Sequence, residues 1–125
     1  MKPLVNVPAL LAIATLALGL GMHSAAADSG EDVFNDNCAV CHSPEAGTNK
    51  LGPSLFGVVG RKSGSIADYT YAPAMKGAGL TWDRATLDKY LTDPQGVVPG
   101  TKMLFPGLKS ADDRKAVIDY LASLH

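Results

Sequence analysis

The sequence predicts an all-α fold: a small domain in which three helices carry the regular structure and long loops wrap around what lies between them. Three observations predict it. Apolar residues recur at helical spacing in three short segments, two long Gly- and Pro-rich stretches separate those segments, and no βαβ pattern appears in the 125 residues. Loops of that length do not suit a compact domain on their own. The run Cys38-Ala39-Val40-Cys41-His42 indicates what they pack on.

The chain opens on a targeting segment. Lys2 gives a positive start, Pro8 to Leu20 is an apolar run, and Ala25-Ala26-Ala27 supplies small residues, so residues 1–27 read as a signal peptide cleaved before Asp28. The run falls short of the roughly 20 residues that span a bilayer, which favours cleavage over the alternative, an uncleaved anchor. The mature domain is then residues 28–125. Lys2 leaves with the signal, so these 98 residues carry ten Lys+Arg against twelve Asp+Glu, a net charge of −2. Such a balance argues against nucleic acid, whose binders concentrate positive charge. One domain of this size has a thin core, and an exported chain meets oxidising conditions unsuited to two free thiols.

The first helix is expected to begin near Ser29, with Glu31 and Asp32 in its first turn, where acids suit the positive end of the dipole. Gly30 costs helix stability relative to alanine; it is either a plain N-terminal glycine or the point where another helix passes close. Val33 and Phe34 lead into Cys38-x-x-Cys41-His42, the pattern of a c-type haem attachment site. Positions i and i+3 share a helix face, so both thiols can add to the vinyl groups along one porphyrin edge. His42 is then directed under the ring, where Nε2 can take the iron. Two rival readings lack parts. Zinc wants four ligands, but there is no third cysteine, His23 lies in the signal and His125 is the last residue. A thioredoxin-like redox pair would sit beside a βαβ pattern.

From Ser43 to Leu80 breakers dominate, among them Gly52-Pro53, Gly60, Gly64 and Pro73, and a large rigid cofactor is what lets such a stretch pack. The second helix runs from about Asp83 to Thr92, with Leu87, Tyr90 and Leu91 at i, i+3, i+4 and Pro94 as its stop. A loop over residues 95–107 follows. The last helix starts at Ser110, whose hydroxyl can cap it, with Asp112 and Asp113 in the first turn. Its stripe of Val117, Tyr120, Leu121 and Leu124 needs a partner, and the Gly30–Phe34 face is the natural one.

An iron held by His42 has one further axial position, and its occupant separates carrier from catalyst. The mature chain offers His125, Met75 or Met103. Both methionines lie in Gly/Pro-bounded loops, where methionine is commonly a packing residue, so composition does not choose between them.

Further runs carry a resemblance. Gly52-Pro53-Ser54-Leu55, Gly60-Arg61-Lys62-Ser63-Gly64, Tyr69-Thr70-Tyr71, Gly79-Leu80-Thr81-Trp82, Tyr90-Leu91, Pro99-Gly100-Thr101-Lys102-Met103-Leu104-Phe105 and Ile118-Asp119-Tyr120-Leu121 follow the attachment motif in order. From Gly30 to Leu121 the chain resembles a class I c-type cytochrome, similar to mitochondrial cytochrome c and bacterial cytochrome c2. The resemblance implies the small class I cytochrome c fold around one haem c, covalently bound through Cys38 and Cys41. It implies His42 and Met103 as the two iron ligands, with the Pro53 carbonyl accepting from Nδ1 of His42. Tyr71 and Trp82 would donate to a propionate with Arg61 nearby, while Tyr90 and Thr101 would support the Met103 side. Core packing is an ordinary alternative for Trp82 and Tyr90, and a solvated charge is one for Arg61. Three departures stand out: Met75 replaces an asparagine of many relatives, the loop after His42 is one residue shorter than in the mitochondrial form, and Asn37 and Gln95 replace lysines. Lys50, Lys102 and Lys109 match lysines, leaving a thinned basic rim.

The function this implies is a soluble, monomeric, mono-haem one-electron carrier in the periplasm, not an enzyme. Its partners would be membrane redox complexes such as a cytochrome bc1-type complex, an oxidase, a reductase or a reaction centre, with only transient encounters at the membrane surface and none with nucleic acid. Two alternatives are a haem enzyme or ligand sensor whose Met103 dissociates easily, and a domain docked permanently to one dehydrogenase.

Overall fold

The computed structural model describes Pro3 and residues 28–125, and the expected signal segment lies otherwise outside the described residues. Helix α1, Gly30–Asn37, begins where a capping box closes it: the Ser29 hydroxyl accepts from the amide of Asp32, whose carboxylate reaches back to Ser29. Helix α3, Arg84–Thr92, is capped by the Asp83 carboxylate, which accepts from the amide of Thr86. Helix α5, Ala111–Ser123, is capped by Ser110 through the amide of Asp113. These three match the expected helices to within a residue or two.

Two shorter helices were not expected. Helix α2, Pro73–Lys76, interrupts the first long loop, and α4, Pro94–Val97, follows α3 directly. Pro94 does end α3, but it also opens α4 at a position where its missing N–H is no loss. The stretch 43–80 is therefore not wholly irregular. Among the described residues the only extended pairing is a single antiparallel bridge, Lys62 to Thr81.

Helices α1 and α5, from opposite ends of the chain, cross and pack on one another, and α5 also packs on α3. Val33 and Phe34 from α1 and Val117, Ile118 and Leu121 from α5 are buried there, with the Phe34 and Tyr120 rings 5.4 Å apart. The two readings of Gly30 are thereby separated. A Cβ on Gly30 would lie 2.1 Å from the Ala116 carbonyl oxygen and 2.8 Å from Cβ of Tyr120, so the glycine is what permits the crossing. Gly30→Ala is expected to lower stability by about 3 kcal/mol, because a backbone carbonyl cannot swing aside as a side chain does. Chemical denaturation of the holoprotein checks this. By contrast the exposed Arg84–Asp119 and Lys115–Asp119 ion pairs between and along these helices contribute little, being solvent-screened.

Among the described residues, seven of the twelve in the core, Val58, Trp82, Leu87, Tyr90, Leu91, Val117 and Leu121, also line one large cavity. Core and cavity wall are thus largely the same set of side chains, and the helices are arranged around a space.

Candidate haem site

That cavity has a volume of about 650 Å³, a size suited to a cofactor. It brings together all ten residues singled out in the sequence: Cys38, Cys41, His42, Pro53, Arg61, Tyr71, Trp82, Tyr90, Thr101 and Met103. The attachment motif leaves α1 as a chain of turns instead of continuing the helix. Cys38 caps α1 by donating to Phe34, and the amides of Cys41 and His42 both return to the Cys38 carbonyl, at 3.0 and 2.9 Å. The i, i+3 relation of the thiols survives in this tighter form.

Burial, and then the neighbouring Cys41, pushes the Cys38 thiol up to about 11. A redox-active cysteine needs the opposite, a stabilised thiolate. Among the described residues no group of three His, Cys, Asp or Glu is placed to hold a metal ion. The redox-pair reading of Cys-x-x-Cys is disfavoured by this environment.

His42 is fixed by the second loop. Its Nδ1 lies 2.7 Å from the Pro53 carbonyl, to which it donates, leaving the Nε2 lone pair free. Burial lowers its pKa against the raising effect of that hydrogen bond, so the imidazole is neutral and fit to bind iron. Gly52 has a part that the sequence reading did not single out. A Cβ there would stand 2.3 Å from Cε1 of His42, so the ring is seated on bare backbone. Only the folded loop reveals this, since glycine beside proline ordinarily signals no more than a turn.

On the third side, Tyr90 is buried in α3 with its hydroxyl 3.1 Å from Oγ1 of Thr101 and 3.9 Å from Sδ of Met103. Burial raises its pKa, so the phenol stays protonated and able to donate. Trp82 packs on Tyr90, ring centroids 4.8 Å apart. Arg61 donates to the carbonyls of Ser54 and Phe56, and the Tyr71 hydroxyl accepts from the amide of Ile66 at 3.2 Å. Met75 lines the same cavity. Tyr69, present in the sequence reading only as part of a matching run, ties the rim together: its hydroxyl donates to Leu51 at 2.6 Å, and Lys102 sits 4.6 Å over its ring.

The expected basic rim is altered in detail. Lys50 donates to the Ala39 carbonyl, Lys102 to Thr70 and Lys109 to Thr92, so each ammonium group is engaged with backbone. The cavity lining also carries exposed apolar groups, with Val40, Leu51 and Leu104 exposed at 76%, 78% and 94%.

The residues fit a covalently attached porphyrin: two thiols a turn apart, a neutral imidazole with its outer nitrogen engaged, a thioether, and apolar walls of adequate volume. No buried side-chain nitrogen or oxygen among the described residues is left unpartnered, so nothing polar in the wall asks for a different ligand.

Comparison with known proteins agrees. The cytochrome c family model matches residues 27–125. Cytochrome c2 iso-2 of Magnetospirillum molischianum is 56% identical over 87 residues, covering 70% of this chain and 90% of that protein. Cytochrome c2 of Rhodomicrobium vannielii is 53% identical over 98 residues, 77% of each chain. Among solved structures, cytochrome cH from Methylobacterium extorquens superposes with a TM-score of 0.69 at 46% identity, over 74% of this chain and 93% of that one. The chain belongs to the cytochrome c family and has its class I fold. It carries one covalently bound haem c and is a mono-haem electron carrier.

Proposed function

We propose that this carrier is exported, is cleaved before Asp28, and works in the periplasm with its haem iron held by His42 and Met103. When bound, the haem supplies an iron that changes by a single electron. The chain's own residues set the conditions for that change. Cys38 and Cys41 anchor one edge, Pro53 orients and enriches the His42 imidazole, and Tyr90 and Thr101 hold the Met103 thioether in place. Trp82, Leu87, Leu91, Val117 and Leu121 exclude water, and Arg61, Tyr71 and Trp82 are the groups offered to the propionates.

The observation that carries the reading is the pairing, in one cavity, of a neutral histidine fixed through Nδ1 with a methionine under a buried tyrosine. Such a pair would hold the iron from His42 and Met103 and leave no ligand position open, which favours carriage over catalysis. Exchange partners are membrane redox complexes of respiration or photosynthesis, of the cytochrome bc1, oxidase, reductase or reaction-centre kind, met by a monomer in brief encounters. The apolar rim of Val40, Leu51 and Leu104 supports contact with a protein surface, and among the described residues no helix is long and apolar enough to cross a membrane.

An absorption spectrum of the oxidised protein from a periplasmic fraction tests this. A c-type spectrum with the weak long-wavelength sulfur-to-iron band is expected, with both thiols closed to alkylation. A colourless protein with two titratable thiols overturns it, and a reduced protein that binds carbon monoxide promptly at neutral pH favours an enzyme or sensor instead.

A further inference from the structure

We propose that Gln95 is a positioning residue for the segment that carries Met103, a two-armed latch that sets how readily its thioether gives way to an outside ligand. The inference rests on Met103 as the sixth ligand.

Residues 102–107 make no backbone–backbone hydrogen bond. The segment is an arch between two supports. At its far end the amide of Leu108 donates to Leu91 at 2.7 Å, and Arg114 donates to the Leu108 carbonyl at 2.9 Å. At its near end stands Thr101, whose amide closes a turn on Val98 and whose hydroxyl meets Tyr90. Within the arch the hydrogen bonds involve side chains: Lys102 donates to the Thr70 carbonyl, the Thr101 hydroxyl accepts from the Met103 amide at 3.4 Å, and the Tyr90 hydroxyl reaches Met103. The Thr101 carbonyl is taken by Gln95: Nε2 donates to it at 2.9 Å, while Oε1 accepts from the amide of Gly100 at 3.3 Å. A single side chain thus grips the backbone of two consecutive residues, Gly100 and Thr101, three and two positions before Met103.

The base of the latch is firm. Gln95 sits in α4, where Pro94 is fully buried and the Asp93 carboxylate accepts from the amide of Gly96 at 3.1 Å. The chemistry requires an amide. Glutamine donates and accepts at once, whereas lysine of similar reach can only donate and ionised glutamate only accept. An outside ligand can reach the iron on the Met103 side only after the arch lifts, so the hold at Thr101 governs the frequency of opening.

The test is capture of imidazole by the ferric holoprotein, followed by the decay of the sulfur-to-iron band. Gln95→Ala is expected to speed capture roughly tenfold, the effect that one or two net hydrogen bonds command. Gln95→Glu, keeping only the accepting arm, falls between parent and Gln95→Ala. Gly30→Ala, which destabilises the crossing of α1 and α5 away from the arch, is the control for general loss of stability and is expected to capture at the parent rate. Capture at the parent rate in Gln95→Ala, or equal acceleration in Gly30→Ala, overturns the latch. A parent protein without the sulfur-to-iron band overturns the Met103 assignment and the latch with it, whereas a band present with unchanged capture overturns the latch alone.

Discussion

A Cys38→Ala/Cys41→Ala protein is expected to lose its fold, its far-ultraviolet circular dichroism falling to that of a largely disordered chain. The reason lies in where the core is. Among the described residues, seven of its twelve side chains face a cavity of about 650 Å³. Without the porphyrin those side chains lose the surface they pack on, a loss set against the roughly 5–15 kcal/mol by which a typical domain is stable. The walls cannot simply close. They come from α3, α5 and two loops, whose apolar side chains such as Leu55, Val58, Met103 and Phe105 also line the cavity. Native helix content in the double variant, measured at neutral pH without haem, would refute this.

Met103→Ala is the second large effect. The thioethers and His42 remain, so the protein is expected to keep its colour and most of its helix, but to lose the sulfur-to-iron band. Its midpoint potential should fall on the order of 0.2 V, a fraction of the ~0.8 V range that axial ligands command. A soft thioether favours the ferrous state, and removing it opens that axial position to water or added ligands. Prompt binding of carbon monoxide by the reduced variant, absent in the parent, is the companion result. A potential equal to the parent's would assign the ligand elsewhere, with Met75, on the wall of the same cavity, the residue to replace next.

Much of this was legible in the residues. Ser29, Asp83 and Ser110 mark helix starts because each cap is a local transaction between a side chain and an amide two or three positions on, and local chemistry can be read from order alone. The attachment motif is legible for the same reason. Helices α2 and α4 were not, because four residues are too few to show a period and Pro73 and Pro94 look like stops. Gly52 under the imidazole and the carbonyl partners of Lys50, Lys102 and Lys109 depend on segments far apart in the chain, which no spacing rule joins. Gln95 is intermediate: its departure from lysine was visible, but its grip on Gly100 and Thr101 needed the turn.

The crossing of the first and last helices has a bearing on how the molecule is made. Cys38 and Cys41 stand just after α1, and Val117 and Leu121 lie on α5, so the enclosure these four share is complete only when the two helices meet.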